Sequence, residues 1–234
     1  MTMNAATSLQ FHELLASRTA AGREYLTSAP IIHRALAGQI ERDEYIAFLT
    51  QAFHHVRHTV PLLMAVGSRL PARLAWLRKE IIHYTEEEEG HEQWILNDIE
   101  AAGADASAAA SSQPSMATDA MVSYAYDTAM RRNPVGFFGM VFVLEGASVA
   151  LASNAADRIQ ASLQLPNKAM TYLRSHGQLD QQHVQDLYAI LNRLADEEDR
   201  NAVERCARVM FRLYGNIFRE LDERSVTATE GRAA

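Results

Sequence analysis

Apolar residues recur every three to four positions along most of the 234-residue chain, the spacing of helices that bury one face. No stretch alternates apolar and polar residues for long enough to predict a strand. The pattern therefore predicts an all-α fold. With proline and glycine as boundary signals, the expected helices span 9–26, 30–38, 42–67, 70–103, 118–132, 134–159, 167–175 and 183–221, the last with a break near 195–199.

The length of the chain fits one domain with a substantial core. The segment 104–116 is rich in alanine and serine and contains Pro114, and we expect it to form a surface loop. We assign 1–224 to a single helical domain and 225–234, which is small and polar, to a flexible C-terminal tail.

Charge and cysteine content narrow the classes of function. The 29 acidic residues outnumber the 22 basic ones, giving a net charge of -7, which argues against binding to nucleic acid or to an anionic membrane. A small-molecule substrate is the better expectation. One cysteine, Cys206, excludes an intramolecular disulfide, and nothing signals export or membrane insertion, so we predict a cytoplasmic protein. A homodimer is compatible with the sequence.

The first candidate for metal chemistry is a triplet near the C-terminal third of the chain. His176, Asp180 and His183 are four and three residues apart, which places them on one face of a continuous helix. Imidazole and carboxylate ligands suit iron, manganese or zinc. A solvated helix face is the alternative, because histidine pairs at helical spacing often lie on such faces. Gly177 also lowers the local helix propensity by about 1 kcal/mol relative to alanine.

The second candidate is the acidic run from Glu86 to Glu89, followed by Gly90 and His91. Glu88 is three residues from His91 and Glu87 is four, so either carboxylate could share an ion with that imidazole. Glu88 lies closer to the apolar face. Taken alone, a run of glutamates is usually a solvated face.

Glu145 is the third candidate, because it interrupts a strongly apolar stretch from 137 to 152. A buried ionised carboxylate needs a cation, hydrogen-bond donors or a metal. The combined set of three carboxylates and three histidines is enough for a two-iron site with open positions for dioxygen, and the spacing Glu-x-x-His is one that diiron carboxylate bundles use. The predicted ligands are Glu88, His91, Glu145, His176, Asp180 and His183.

These residues resemble the haem-oxygenase-like diiron oxidases and oxygenases. The family's Glu-x-x-His, as in its alkene-forming fatty acid decarboxylase, looks like Glu88 to His91, and its middle-helix glutamate looks like Glu145 in Leu144-Glu145-Gly146-Ala147. Its His-x-x-x-Asp-x-x-His looks like His176, Asp180 and His183. The resemblance covers most of 30–220.

The resemblance implies a haem-oxygenase-like helical bundle that binds two iron ions through the six side chains. It further implies activation of O2 and oxidation of a small substrate such as a fatty acid or an amino-acid derivative. The metal motifs do not separate decarboxylation, desaturation and N-oxygenation, because substrate choice depends on pocket residues.

Three alternatives remain open at the level of sequence. A haem oxygenase is one, since 36–45 resembles an early helix junction of those enzymes and His12 or His33 could be an axial ligand. A thiaminase-like hydrolase would need Cys206 as its nucleophile. The third is a non-catalytic helical binding or regulatory protein.

Two further groups of aromatic and histidine residues are assigned a structural role. His54 and His58 are one helical turn apart and could line a pocket, but a hydrogen-bonded helix face is the favoured interpretation. Tyr84 and Tyr172 lie near the proposed ligands and are expected to pack in the core.

Overall fold

The computed structural model describes residues 9–232, apart from the side chains of 176–182 and 224–232. This part of the chain is helical and contains no strand. Its helices are α1 (Phe11–Arg18), α2 (Ala20–Thr27), α3 (Pro30–Leu36), α4 (Arg42–Val56), α5 (Thr59–Arg69), α6 (Ala75–Glu88), α7 (His91–Ala101), α8 (Ala106–Ser111), α9 (Met116–Arg131), α10 (Phe138–Leu163), α11 (Thr171–Arg193) and α12 (Glu197–Arg232). Short 3₁₀ turns cover Ala72–Leu74, Pro134–Phe137 and Asn167–Ala169. The all-α single domain predicted from the sequence is confirmed.

Helix α10 is the central element, packed against both α11 and α12. Its first turns are buried on nearly every side, which explains why the sequence there lacks a polar stripe. Gly139 brings α10 against α12, since a Cβ atom at this position would lie 2.3 Å from the carbonyl oxygen of Val203. The absent side chain thus fixes the depth of the helix that carries Glu145.

The apolar length of this region also satisfies a simple test for a membrane span. Among the described residues, Pro134–Leu163 is long and apolar enough to cross a bilayer, with a mean hydropathy of 1.9 in its most apolar window. Inside the protein, 61% of that window is buried. Since a core helix passes the same test, the stretch is weak evidence for a membrane span.

Three of the predicted helices are interrupted, so their continuity was predicted wrongly. The segment 9–26 breaks at Thr19, whose hydroxyl donates back to the carbonyl of Leu15 at 2.7 Å. The segment 42–67 breaks at Arg57 and His58, between α4 and α5. The segment 70–103 breaks at Gly90.

The connections differ from expectation in two further places. The expected loop 104–116 contains the short helix α8, whose first turn is capped by Asp105 accepting from the backbone N–H of Ala108 at 3.0 Å. Conversely, 171–175 and the start of 183–221 are joined in one helix, α11, so the backbone under the triplet is continuous, while Asn167–Ala169 forms a separate 3₁₀ turn. The expected break near 195–199 falls between Arg193 and Glu197. The backbone stays helical through Arg232, and the flexibility of 225–234 stays a prediction.

Asp98 joins α7 to the start of α11. Its fully buried carboxylate accepts from the backbone N–H groups of Thr171 and Tyr172, at 3.1 and 2.9 Å. Burial raises the pKa of Asp98, and these hydrogen bonds oppose the rise only in part. The positive end of the α11 dipole favours a negative group here, so Asp98 fixes the start of α11.

We expect Asp98→Ala to lower the free energy of unfolding by about 2 kcal/mol, because two buried N–H groups lose a charged acceptor. Asp98→Asn keeps one acceptor oxygen and should cost about 1 kcal/mol. Urea titration followed by circular dichroism measures both. Wild-type stability in Asp98→Ala would contradict this role of the carboxylate.

Candidate metal centre and cavity

Three of the predicted ligands meet at the junction of α6, α7 and α11. The Glu88 carboxylate lies between two imidazoles, with Oε2 3.2 Å from Nδ1 of His91 and Oε1 4.0 Å from Nδ1 of His183. All three side chains are buried. Glu88 is therefore the predicted ligand that links the Glu-x-x-His motif to α11.

The Glu-x-x-His motif crosses a break between two helices. Glu88 ends α6 and His91 begins α7, while Gly90 between them adopts φ +87°, a conformation that favours glycine. We expected a continuous helix here, on which the two side chains would be stacked one turn apart. The left-handed residue instead turns the chain between them, and the imidazole still contacts the carboxylate.

The remaining glutamates of the acidic run have different environments. Glu86 and Glu89 are exposed, as a solvated face predicts. Glu87 is half-buried, with one carboxylate oxygen 3.4 Å from Nε2 of His83 and the other 3.5 Å from Nε2 of His183. The run therefore contributes one buried carboxylate and one that borders the site.

Glu145 is buried on α10, as its apolar surroundings predict, and 7% of it is exposed. It lines the same cavity as Glu88. The side chains of His176 and Asp180 lie outside the described residues, although α11 carries both positions. Among the side chains that are described, no group of three or more is arranged to hold a single ion.

The cavity beside the two glutamates has a volume of about 170 Å³. Its wall is mostly apolar and is formed largely by α10, α3 and α4. Glu88 and Glu145 are the charged residues in this wall, and no lysine or arginine of the described chain contributes to it. A cavity of this composition suits a small, largely apolar molecule next to two carboxylates.

Several residues of this wall were not singled out by the sequence, and a histidine of α4 is one of them. His54 and His58 are hydrogen-bonded, to Ser112 at 2.9 Å and to Tyr126 at 3.1 Å, as the structural interpretation predicts. Burial is the largest cause of the lowered pKa of each. The neighbouring His55 lines the cavity instead.

Tyr84 and Tyr172, which we assigned to core packing, also line the cavity. Tyr84 lies one turn before Glu88 on α6, and its ring centroid is 5.4 Å from that of His183. Its spacing of one helical turn from Glu88 was the feature of the sequence that could have placed Tyr84 at the cavity. No comparable signal singled out His55 from its histidine neighbours.

The residues required by two of the alternatives lie away from the cavity. His12 is hydrogen-bonded to Asn192 at 3.0 Å and stacked on Tyr188, while His33 is exposed. Cys206 is buried between α12 and α10, and this burial raises its pKa to about 12. A thiol that stays protonated at neutral pH is a poor nucleophile.

Comparison with known proteins identifies the family. A family described as iron-containing redox enzymes matches residues 46–215, well over half of the chain. The chain belongs to this family. No curated protein matches the sequence.

Comparison with solved structures shows that this member of the iron-containing redox enzyme family has the haem-oxygenase-like fold. A domain of unknown function with a haem oxygenase-like fold from Shewanella denitrificans is 24% identical, with a TM-score of 0.84, and the match covers 96% of this chain and 97% of that one. A TenA homologue from P. horikoshii is 11% identical, with a TM-score of 0.76 and coverage of 91% and 98%. Haem oxygenase-1 from the cyanobacterium Synechocystis, in complex with haem, is 12% identical, with a TM-score of 0.74 and coverage of 96% and 98%. At these identities the likeness establishes the fold alone.

The residues of the site fit iron, which the family description implies. Glu88, Glu145, His91 and His183 offer oxygen and imidazole donors, the ligand types that non-haem iron takes. All four are buried, the two imidazoles contact Glu88, and both glutamates line an apolar cavity whose described wall has no lysine or arginine. The donor chemistry and the absence of a competing cation in that wall both favour a metal ion.

Gly90→Ala should lower the free energy of unfolding by about 1 kcal/mol, because a residue with a Cβ atom is strained at positive φ. Steric crowding does not cause this loss of stability, since the added Cβ atom would meet nothing within 4 Å. Gly146→Ala in α10 is the matched control, with equally open space and no positive φ, and should stabilise the protein by about 0.5 kcal/mol. Denaturant titration measures both, and equal effects would contradict the strain argument.

The thiol of Cys206 should resist alkylation by iodoacetamide at pH 8 in the folded protein, because burial keeps it protonated and covered. After unfolding in guanidinium chloride it should react stoichiometrically. Mass spectrometry measures the modification. Rapid labelling of the folded chain would restore Cys206 as a candidate nucleophile.

Proposed function

We propose that the chain is a non-haem iron oxidase or oxygenase that uses O2 to oxidise a small organic substrate. The observation that supports this most directly is the placement of Glu88 between two imidazoles, at a cavity that Glu145 also lines. Membership of the iron-containing redox enzyme family supports the choice of metal. The cavity wall supports a substrate with a large apolar part, such as a fatty acid or an amino-acid derivative.

Six side chains would hold two iron ions in this proposal. They are three carboxylates and three imidazoles: Glu88, Glu145, Asp180, His91, His176 and His183. Bound iron would supply one-electron chemistry and the activation of O2. The carboxylates would compensate the positive charge of the ions, and the imidazoles would bind as neutral ligands.

The protein's own residues exclude water, bind the substrate and position the helix that carries three of the ligands. The apolar wall excludes water and binds the apolar part of the substrate by burying it. Glu88 and Glu145 reach this wall from α6 and α10, so a molecule in the cavity would lie directly beside the ligands. Asp98 holds the start of α11 and with it the helix that carries three of the six ligands.

Metal content tests the proposal. The wild-type chain, loaded anaerobically with Fe(II) and desalted, should retain up to two iron ions. Glu88→Ala and Glu145→Ala should each lose at least half of that iron, because each removes a buried carboxylate ligand. Mass spectrometry of the eluted metal measures the content.

Two variants of neighbouring residues serve as matched controls. Glu86→Ala removes an exposed carboxylate from the same acidic run, and His83→Ala removes an exposed imidazole from the same helix. Both should retain wild-type iron. Equal iron in Glu86→Ala and Glu88→Ala, or iron-free wild-type protein, would overturn the proposed metal centre and favour a non-catalytic binding protein.

A further inference from the structure

The hydroxyl of Tyr84 is an unusual feature of the cavity wall. Its side chain lines the cavity and is only 8% exposed, and its hydroxyl oxygen is buried with no hydrogen-bond partner among the described residues. A buried phenol normally finds a partner, because leaving its donor unsatisfied costs free energy of desolvation. The described residues therefore leave the Tyr84 hydroxyl free to donate to a molecule in the cavity.

The surroundings of Tyr84 indicate the chemistry of that occupant. Without lysine or arginine in the described wall, an oxygen acceptor could receive hydrogen bonds only from hydroxyl groups or rings. The residues with such groups are His55, Thr59, Tyr84, Ser148, Tyr172 and Tyr214. Of these six, Tyr84 is the one whose buried hydroxyl has no partner among the described residues.

The position of Tyr84 beside the proposed metal ligands also indicates that its hydroxyl binds a molecule in the cavity. Tyr84 precedes Glu88 by one helical turn and shares its face of α6, and its ring lies beside that of His183. A group held by the Tyr84 hydroxyl would be next to the proposed metal ligands. The remainder of the molecule would lie along the apolar wall.

We propose that Tyr84 anchors the substrate, by donating its O–H to an oxygen acceptor on a molecule whose body is otherwise apolar. This rests on the proposed function only in taking the cavity as the substrate site. The cavity of about 170 Å³ is similar in size to an engineered apolar cavity of about 150 Å³ that binds benzene. Benzyl alcohol and toluene are therefore suitable probes, since both fit and only the alcohol has an acceptor oxygen.

Binding of the two probes to the full-length chain, before and after iron loading, tests the anchor. Wild-type protein should bind benzyl alcohol about tenfold more tightly than toluene, as one buried hydrogen bond predicts. Tyr84→Phe should lose this preference and keep the wild-type affinity for toluene. Titration calorimetry measures the dissociation constants.

Tyr45→Phe is the matched control, because Tyr45 is also buried but donates to the carbonyl of Ala169 at 2.7 Å and does not line the cavity. It should lower the melting temperature and leave the preference for benzyl alcohol unchanged. Tyr84→Phe should leave the melting temperature of the ligand-free protein equal or higher, because it removes an unsatisfied buried group. A lower melting temperature would show a structural bond to the hydroxyl and overturn the proposal.

The remaining outcomes separate this inference from the metal proposal. An unchanged preference for benzyl alcohol in Tyr84→Phe overturns the anchor, even if iron binds as proposed. Loss of iron in Tyr84→Phe assigns the hydroxyl to the metal ligands and also overturns it. Loss of the preference in protein without iron supports the anchor and leaves the metal proposal to the Glu88 and Glu145 variants.

Discussion

Two glutamates buried at one apolar cavity are the constraint on which the rest of this structure depends. An ionised carboxylate is costly to bury without compensation, and Glu88 meets this requirement in part through contacts with His91 and His183. The contacts join helices from different parts of the chain. Burial of these groups thus links the stability of the bundle to the chemistry that the site can perform.

The helices around the site are held by features remote from the proposed ligands. Gly139 allows α10 to approach α12 closely, which sets the depth of Glu145. Asp98 binds the first N–H groups of α11 from α7, the helix that His91 begins. Since His91 and Asp98 are two turns apart on one helix, a single rigid element positions a predicted ligand and the start of the helix that carries three others.

In the proposed centre, the metal and the protein would have different tasks. Glutamate and imidazole side chains can compensate and orient metal ions, whereas an apolar wall selects a substrate by the area that it buries. Tyr84 connects the two, because it shares α6 with Glu88 and its buried hydroxyl has no partner among the described residues. Members of one fold can in this way keep a metal centre and differ in substrate.

Periodicity and spacing by themselves determined the all-α class, the buried position of Glu145 and the proximity of Glu88 to His91, because each depends on neighbours within a few turns. Only the tertiary structure decided that α6 and α7 are separate helices and that Glu88 lies against His183. It also decided that His55, rather than His54 or His58, reaches the cavity. Adjacent positions on a helix point about 100° apart, so one residue separates a cavity wall from a packed interface. The packing of distant helices sets that choice.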